Sequence, residues 1–296
     1  MAAVQAGLEP APSALLLAAA ADNVELVRTL LDDGADVNQT DSQGRTALME
    51  AARTGSTEVM QLLLARGADV DVKDDRSVSA FTYAASRGDV TNMEVLVSGG
   101  ADIRQESIQG KNALFFASSA GHLDAVKYLL HADLDVNTVD DFGTTPLMHA
   151  AQKHNVDILK LLIQHGADVN MVSNDQTTAL HFAAVFGNVD NIGALIEAGA
   201  DLNLKQERGS TAFHLAALYG HDEVVRKLID NNAEIDLDDW SLQKYLVSCL
   251  QCRRVDIYLK LMPRLSRSAA SKQCLFVLSI IFLNLIRSLV KLFGYH

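Results

Sequence analysis

A chain of 296 residues that is 49% hydrophobic and 21% charged, with only four prolines, reads as ordered and fits one large domain or two small ones. Aromatics make up only 6%, so the interior must be built from small and medium aliphatic side chains, which suits stacked helices better than packed sheets. The net charge of −12 disfavours nucleic acid as a partner, and three cysteines near the C-terminus offer no disulfide framework, which points to a reducing, cytoplasmic setting.

Residues 1–12 carry no pattern and are expected to be disordered. The apolar stretch from Leu15 to Ala21 follows no basic residue, so it does not read as a secretory signal. It belongs instead to the first unit of an internal repeat. The string Gly-Ala-Asp-Val-Asn begins at Gly34, and relatives begin at Gly67, Gly100, Asp133, Gly166, Gly199 and Asn232, each 33 residues after the last. A second string keeps the same step: Thr46-Ala-Leu, Ser79-Ala-Phe, Asn112-Ala-Leu, Thr145-Pro-Leu, Thr178-Ala-Leu and Thr211-Ala-Phe, flanked by Ser13-Ala-Leu and Lys244-Tyr-Leu.

Each unit reads as two short antiparallel helices and a turn. The opening Thr, Ser or Asn can cap the first helix through its side-chain oxygen. Pro146 falls one residue later, where a missing N–H costs nothing. Alanine pairs such as Ala51-Ala52 and Ala183-Ala184 keep that helix thin, so neighbouring units can approach. Gly55, Gly88, Gly121, Gly187 and Gly220 allow a left-handed turn into the second helix, whose apolar runs, such as Leu62 to Leu64 and Leu161 to Ile163, face the next unit. Asp133 and Ser77 stand where other units have glycine, and His154 stands at an inter-helix glycine position; each costs roughly 0.5–1 kcal/mol if a left-handed backbone is kept there.

This pattern resembles the ankyrin-repeat family. The resemblance runs from Ser13 to Pro263, with eight units opening near 13, 46, 79, 112, 145, 178, 211 and 244, the first and last degenerate as solenoid caps are. It implies an all-α solenoid of helix–turn–helix units with hairpin-like loops, to which the tail adds a C-terminal apolar helix. It also implies a non-catalytic scaffold or adaptor that grips another protein on its concave side, formed by loop tips and the exposed ends of the first helices. On this chain those positions are Arg45, Arg53, Lys73, Arg76, Arg87 and Lys111 in the N-terminal half. In the C-terminal half they are Phe142, Val172, Val185, Phe186, Leu218, Tyr219 and Trp240. Aromatic and arginine side chains are the usual anchors of interfaces. The basic set can equally be a solvated face, or steer an acidic peptide or phosphopeptide. Trp240 and Tyr219 can equally pack as part of the cap.

Nothing points to catalysis, a metal, a cofactor or a small-molecule substrate. Cys249 and Cys252 form one C-x-x-C pair without a second, and Cys274 and His296 lie in the tail. His181 and His214 follow Thr-Ala-Leu and Thr-Ala-Phe; the family resemblance implies that such histidines tie neighbouring loops together. There is no phosphate loop, nucleophile elbow or H-E-x-x-H. Asn38, Asn137, Asn170 and Asn203 end strings that, in the family, can be substrates of an asparaginyl hydroxylase; unmodified asparagine is the simpler reading.

After Pro263 the register is lost, and residues 264–296 form a basic, apolar tail. From Cys252 onward eight bases face one acid, a net of +7, while the preceding body carries 17 bases against 36 acids, a net of −19. Residues Cys274 to Ile286 are nearly all apolar but too few to cross a bilayer, which needs about 20. Extension to Phe293 admits Arg287 and Lys291, which share a helix stripe with Asn284 and Ser288. Three readings stay open: a helix capping the last repeat, a membrane contact through Leu275, Phe276, Ile280, Ile281, Phe282, Leu285 and Phe293, or a partner-binding segment. Function divides likewise among a cytoplasmic adaptor, a membrane-tethered scaffold, and a regulatory subunit of an enzyme or transcription complex. No F-box, death, SAM-type or SOCS-box pattern is evident.

Overall fold

The structure, a computed structural model, describes residues 14–235. The expectations for residues 1–12, the Ser13 and Lys244 caps, Trp240, the three cysteines and the apolar tail fall outside the described residues.

Among the described residues there are fourteen helices and no strand, arranged as consecutive pairs. The first helix of each pair is α1 (Ala14–Ala20), α3 (Ala47–Thr54), α5 (Ala80–Arg87), α7 (Ala113–Ala120), α9 (Pro146–Gln152), α11 (Ala179–Val185) and α13 (Ala212–Tyr219). The second is α2 (Val24–Asp32), α4 (Thr57–Ala65), α6 (Val90–Ser98), α8 (Leu123–His131), α10 (Val156–Gln164), α12 (Val189–Glu197) and α14 (Asp222–Asp230). The described chain forms two compact units: residues 14–150 with 160–167, and residues 151–159 with 168–235. In the first unit α1, α3, α5 and α7 stack in order, with α2, α4, α6 and α8 stacked behind them. In the second, α11 packs on α13 and α12 on α14.

Helices of seven to nine residues are too short to persist alone in water, so stacking must hold them. Ala51, Ala52, Ala84, Ala85, Ala117, Ala183, Ala184, Ala216 and Ala217 are all buried, which is what lets neighbouring first helices lie close. Phe81 and Phe213 occupy one repeat position and Phe115 the next, and all three are fully buried, each contributing on the order of 1.5–3 kcal/mol. The caps form as the sequence implies. Thr46 accepts from the Met49 N–H at 3.3 Å, Asn112 from Leu114 at 3.0 Å, and Thr145 from Met148 at 3.3 Å.

Left-handed backbone recurs at three turn positions of the repeat, the inter-helix turn, the end of the second helix and the loop tip. It holds at the glycines, and also at Ser77 (φ 58°), Asp133 (φ 60°) and Asn232 (φ 64°), as read from the register. Two further residues adopt it without that expectation: Asp22 (φ 54°) at the first inter-helix turn and Gln176 (φ 61°) at the loop tip where other units have glycine. At Gly187 space matters as well as angle, since a Cβ there would overlap the His221 ring.

Candidate partner-binding surface

Four loops of the first unit are each closed by one side-chain acceptor that takes two backbone N–H groups. Asp41 Oδ1 accepts from Gln43 and Arg45, both at 2.9 Å. Asp74 Oδ1 accepts from Arg76 and Val78 at 2.9 Å, and Asp140 Oδ1 from Phe142 at 3.0 Å and Thr144 at 2.9 Å. Ser107 plays the same part more weakly, at 3.4 and 3.3 Å. Neighbouring loops are then laced together by backbone bonds: Asp75 N–H to Gln43 C=O, Ile108 to Arg76, and Asp141 to Gln109 in the first unit, Glu207 to Asp175 in the second.

The second oxygen of each aspartate faces a basic or hydroxyl group. Arg45 binds Asp41 Oδ2 at 2.7 Å and Glu50 Oε1 at 2.8 Å, while Arg53 takes Glu50 Oε2 at 2.6 Å. The Tyr83 hydroxyl donates to Asp74 Oδ2 at 2.7 Å and accepts from Arg76 Nη2 at 2.7 Å. Asp140 Oδ2 lies 3.7 Å from Lys111 Nζ and 3.8 Å from His149 Nε2. Burial pushes the Asp74 carboxyl upward, but the hydrogen bonds from Tyr83, Val78 and Arg76 outweigh it and leave its pKa lowered. The same balance, struck by Arg45, lowers Asp41. The sequence reading offered these cations as partner contacts, as a solvated face or as a guide for an acidic peptide. The structure seats Arg45, Arg53, Arg76 and Lys111 on carboxylates that are themselves buried. Arg87 lies across Gly55 and donates to the Arg53 carbonyl at 3.4 Å, and Lys73 is exposed.

Among the expected aromatic anchors, Phe142 stands exposed at a loop tip of the first unit. In the second unit Phe186 and Tyr219 are 44% and 57% exposed, at the ends of consecutive first helices and at the same repeat position. Val172 is exposed; Val185 and Leu218 are half-buried. The Tyr219 ring stacks on His221, whose Nε2 bonds the Val185 carbonyl at 2.9 Å, so the aromatic is held from beneath. Two residues at the surface of the first unit escaped the sequence reading: Ile108 at a loop tip, 62% exposed, and Phe116 on α7, half-buried. The same repeat position carries Glu50, Tyr83, Phe116 and His149. Reading that variable position alongside the loop aspartates would have found the ion-pair layer.

The remaining candidates are structural. His181 Nδ1 accepts from the Thr178 N–H at 3.2 Å, which leaves Nε2 to donate to the Ser210 carbonyl at 3.2 Å in the next repeat. Burial lowers its pKa, outweighing the bonds to the Ser210 and Leu204 carbonyls. His214 repeats the contact with Thr211. Asn38, Asn170 and Asn203 each accept an N–H from the following repeat at 2.8 Å, and Asn137 donates to the Gly166 carbonyl. They are ties between neighbouring repeats. Among the described residues no helix is long and apolar enough to cross a membrane.

Comparison with known proteins identifies the class. A family model described as "Ankyrin repeats (3 copies)" matches residues 3–74, 67–140 and 131–206, and one described as "Ankyrin repeats (many copies)" matches 195–242. The chain belongs to the ankyrin-repeat family, whose repeats are general protein–protein interaction modules. It is similar to the crystallised ankyrin repeat domain of human ASB11, at 27% identity and a TM-score of 0.69, over 76% of this chain and all of that one. Among curated proteins none matches.

Proposed function

We propose that the protein is a non-catalytic adaptor that binds another protein on the surface made by its loop tips and the ends of its first helices. The observation that carries this is the pair Phe186 and Tyr219, at one repeat position on successive helices and both exposed, with the Tyr219 ring stacked on His221. Aromatic side chains displayed at matching positions cost solubility unless a partner covers them, and their rigidity makes them efficient anchors. The test is Phe186→Ala combined with Tyr219→Ala in the full chain, followed by proximity labelling and mass spectrometry. The double variant should keep its thermal melting and lose at least one captured protein. Retention of every partner would refute the assignment.

A second reading, a scaffold tethered to a membrane, is supported by the apolar run Cys274 to Ile286 and the bases Arg264, Arg267 and Lys272 before it. Cell fractionation of the full chain against a version ending at Ser271 separates the two. A full-length chain that stays in the soluble fraction removes the tether.

A further inference from the structure

We infer that the loop-tip face of the first unit takes an extended peptide carrying a large apolar side chain close to an aspartate or glutamate. The apolar group fills a cleft walled by Val78, Ile108 and Phe116, and the carboxylate pairs with Arg76. This names the partner's chemistry and rests on the protein-binding reading above.

The cleft has a volume of about 250 Å³ and lies between two consecutive loops. Its walls are Val78, which is buried, the half-buried ring of Phe116 and the side chain of Ile108, with Ser107 and Gln109 polar at the edge. Ile108 leaves more of its surface in water than any other large hydrophobic residue described. An isoleucine that leaves this much surface in water gains by being covered.

Arg76 supplies the charge at the same opening. Its Nη2 is held by the Tyr83 hydroxyl, so the guanidinium plane is fixed in advance, yet its side chain remains 66% exposed. Among the described residues no hydrogen bond occupies Nη1 or Nε, so these N–H groups remain able to donate to a partner carboxylate. Asp75, next to it in sequence, leans over Gly44 of the preceding loop.

The layering of charge decides the sign of the partner. The side chains of Asp41, Glu50, Asp74 and Asp140 are at most 6% exposed, whereas those of Arg53 and Arg76 are 49% and 66% exposed. The carboxylates that hold these guanidinium groups lie inside and the guanidinium groups outside, with Asp75 exposed beside Arg76. In a chain of net charge −12, this face therefore offers cationic donors to whatever docks. A main chain laid along the loops would place an apolar residue in the cleft and a neighbouring acid on Arg76.

The test is selection of a displayed library of random, unphosphorylated peptides against the purified full chain. The parallel selections use Arg76→Glu, Ile108→Asp and the Phe186→Ala/Tyr219→Ala double variant. Arg76→Gln serves as a milder second variant should the charge reversal disturb folding, and the urea midpoint of each is compared with the parent. The parent chain should enrich peptides with a large apolar residue within a few positions of Asp or Glu. The leading peptide should bind Arg76→Glu and Ile108→Asp at least tenfold more weakly by fluorescence anisotropy, and the double variant unchanged. Recovery of the same peptides at the same affinity by Arg76→Glu and Ile108→Asp overturns the inference, as does enrichment of basic peptides or of none. If the enriched peptides are lost only on the double variant, protein binding stands and the acidic-peptide inference falls.

Discussion

Tyr83 donates its hydroxyl proton to Asp74 Oδ2 over 2.7 Å, and its hydroxyl oxygen accepts from Arg76 Nη2, also over 2.7 Å. A carboxylate that closes a loop with one oxygen thus supports a surface arginine with the other. Burial and the negative charge of Asp74 raise the phenol's pKa above its ordinary value, against the opposing pull of Arg76.

Replacing Tyr83 with Phe keeps the ring and removes its O–H donor to Asp74. Loss of one bond to a buried charged acceptor should cost about 1–3 kcal/mol, read as a lower urea midpoint at constant slope. Near-ultraviolet titration should lose one phenol from the component that ionises above the ordinary range. An unchanged midpoint would mean that solvent replaces the hydroxyl.

His181 sets an acid limit. Its pKa in the folded chain is lowered from 6.5, so below that value the unfolded chain binds more protons than the folded one. The stability it contributes is fully present above pH about 6.5 and is lost as pH falls towards the folded pKa. Urea midpoints at pH 7.5 and 5 should therefore differ more for the parent than for His181→Gln. Equal differences would show that other groups carry the acid sensitivity.

The left-handed non-glycine positions offer the opposite sign of effect. Gln176 and Asp133 hold φ of 61° and 60°, where a Cβ is strained. Gln176→Gly and Asp133→Gly should each raise stability by about 0.5–1 kcal/mol, net of the greater freedom that glycine gives the unfolded chain. Thermal melting is the readout, and a lower midpoint would show that a side-chain contact outweighs the strain.

The sequence made the repeat legible because 33-residue spacing acts on the backbone. Thr46, Asn112 and Thr145 must cap, and Gly55 and Gly187 must turn left-handed, whatever surrounds them. The histidines after the caps were legible through the family resemblance, which implies that they tie neighbouring loops, as His181 does at Ser210. The surface was less so. Arg45, Arg53 and Arg76 read as free cations, since nothing local reveals that Glu50 and Asp74 lie buried beneath them. Ile108 and Phe116 were passed over because Ile108 occupies a loop tip filled elsewhere by polar residues, and Phe116 reads as core. Contacts between repeats, not patterns within one, create the cleft.

The backbone lacing of the loops has a further outcome. Gln43, Arg76, Gln109 and Asp175 engage the following loop through their carbonyls alone. That lacing does not depend on which side chains these residues carry. Recognition can be rewritten by exchanging one such side chain while the scaffold underneath stays as it was, so two chains of this build can differ wholly in what they capture and hardly at all in form.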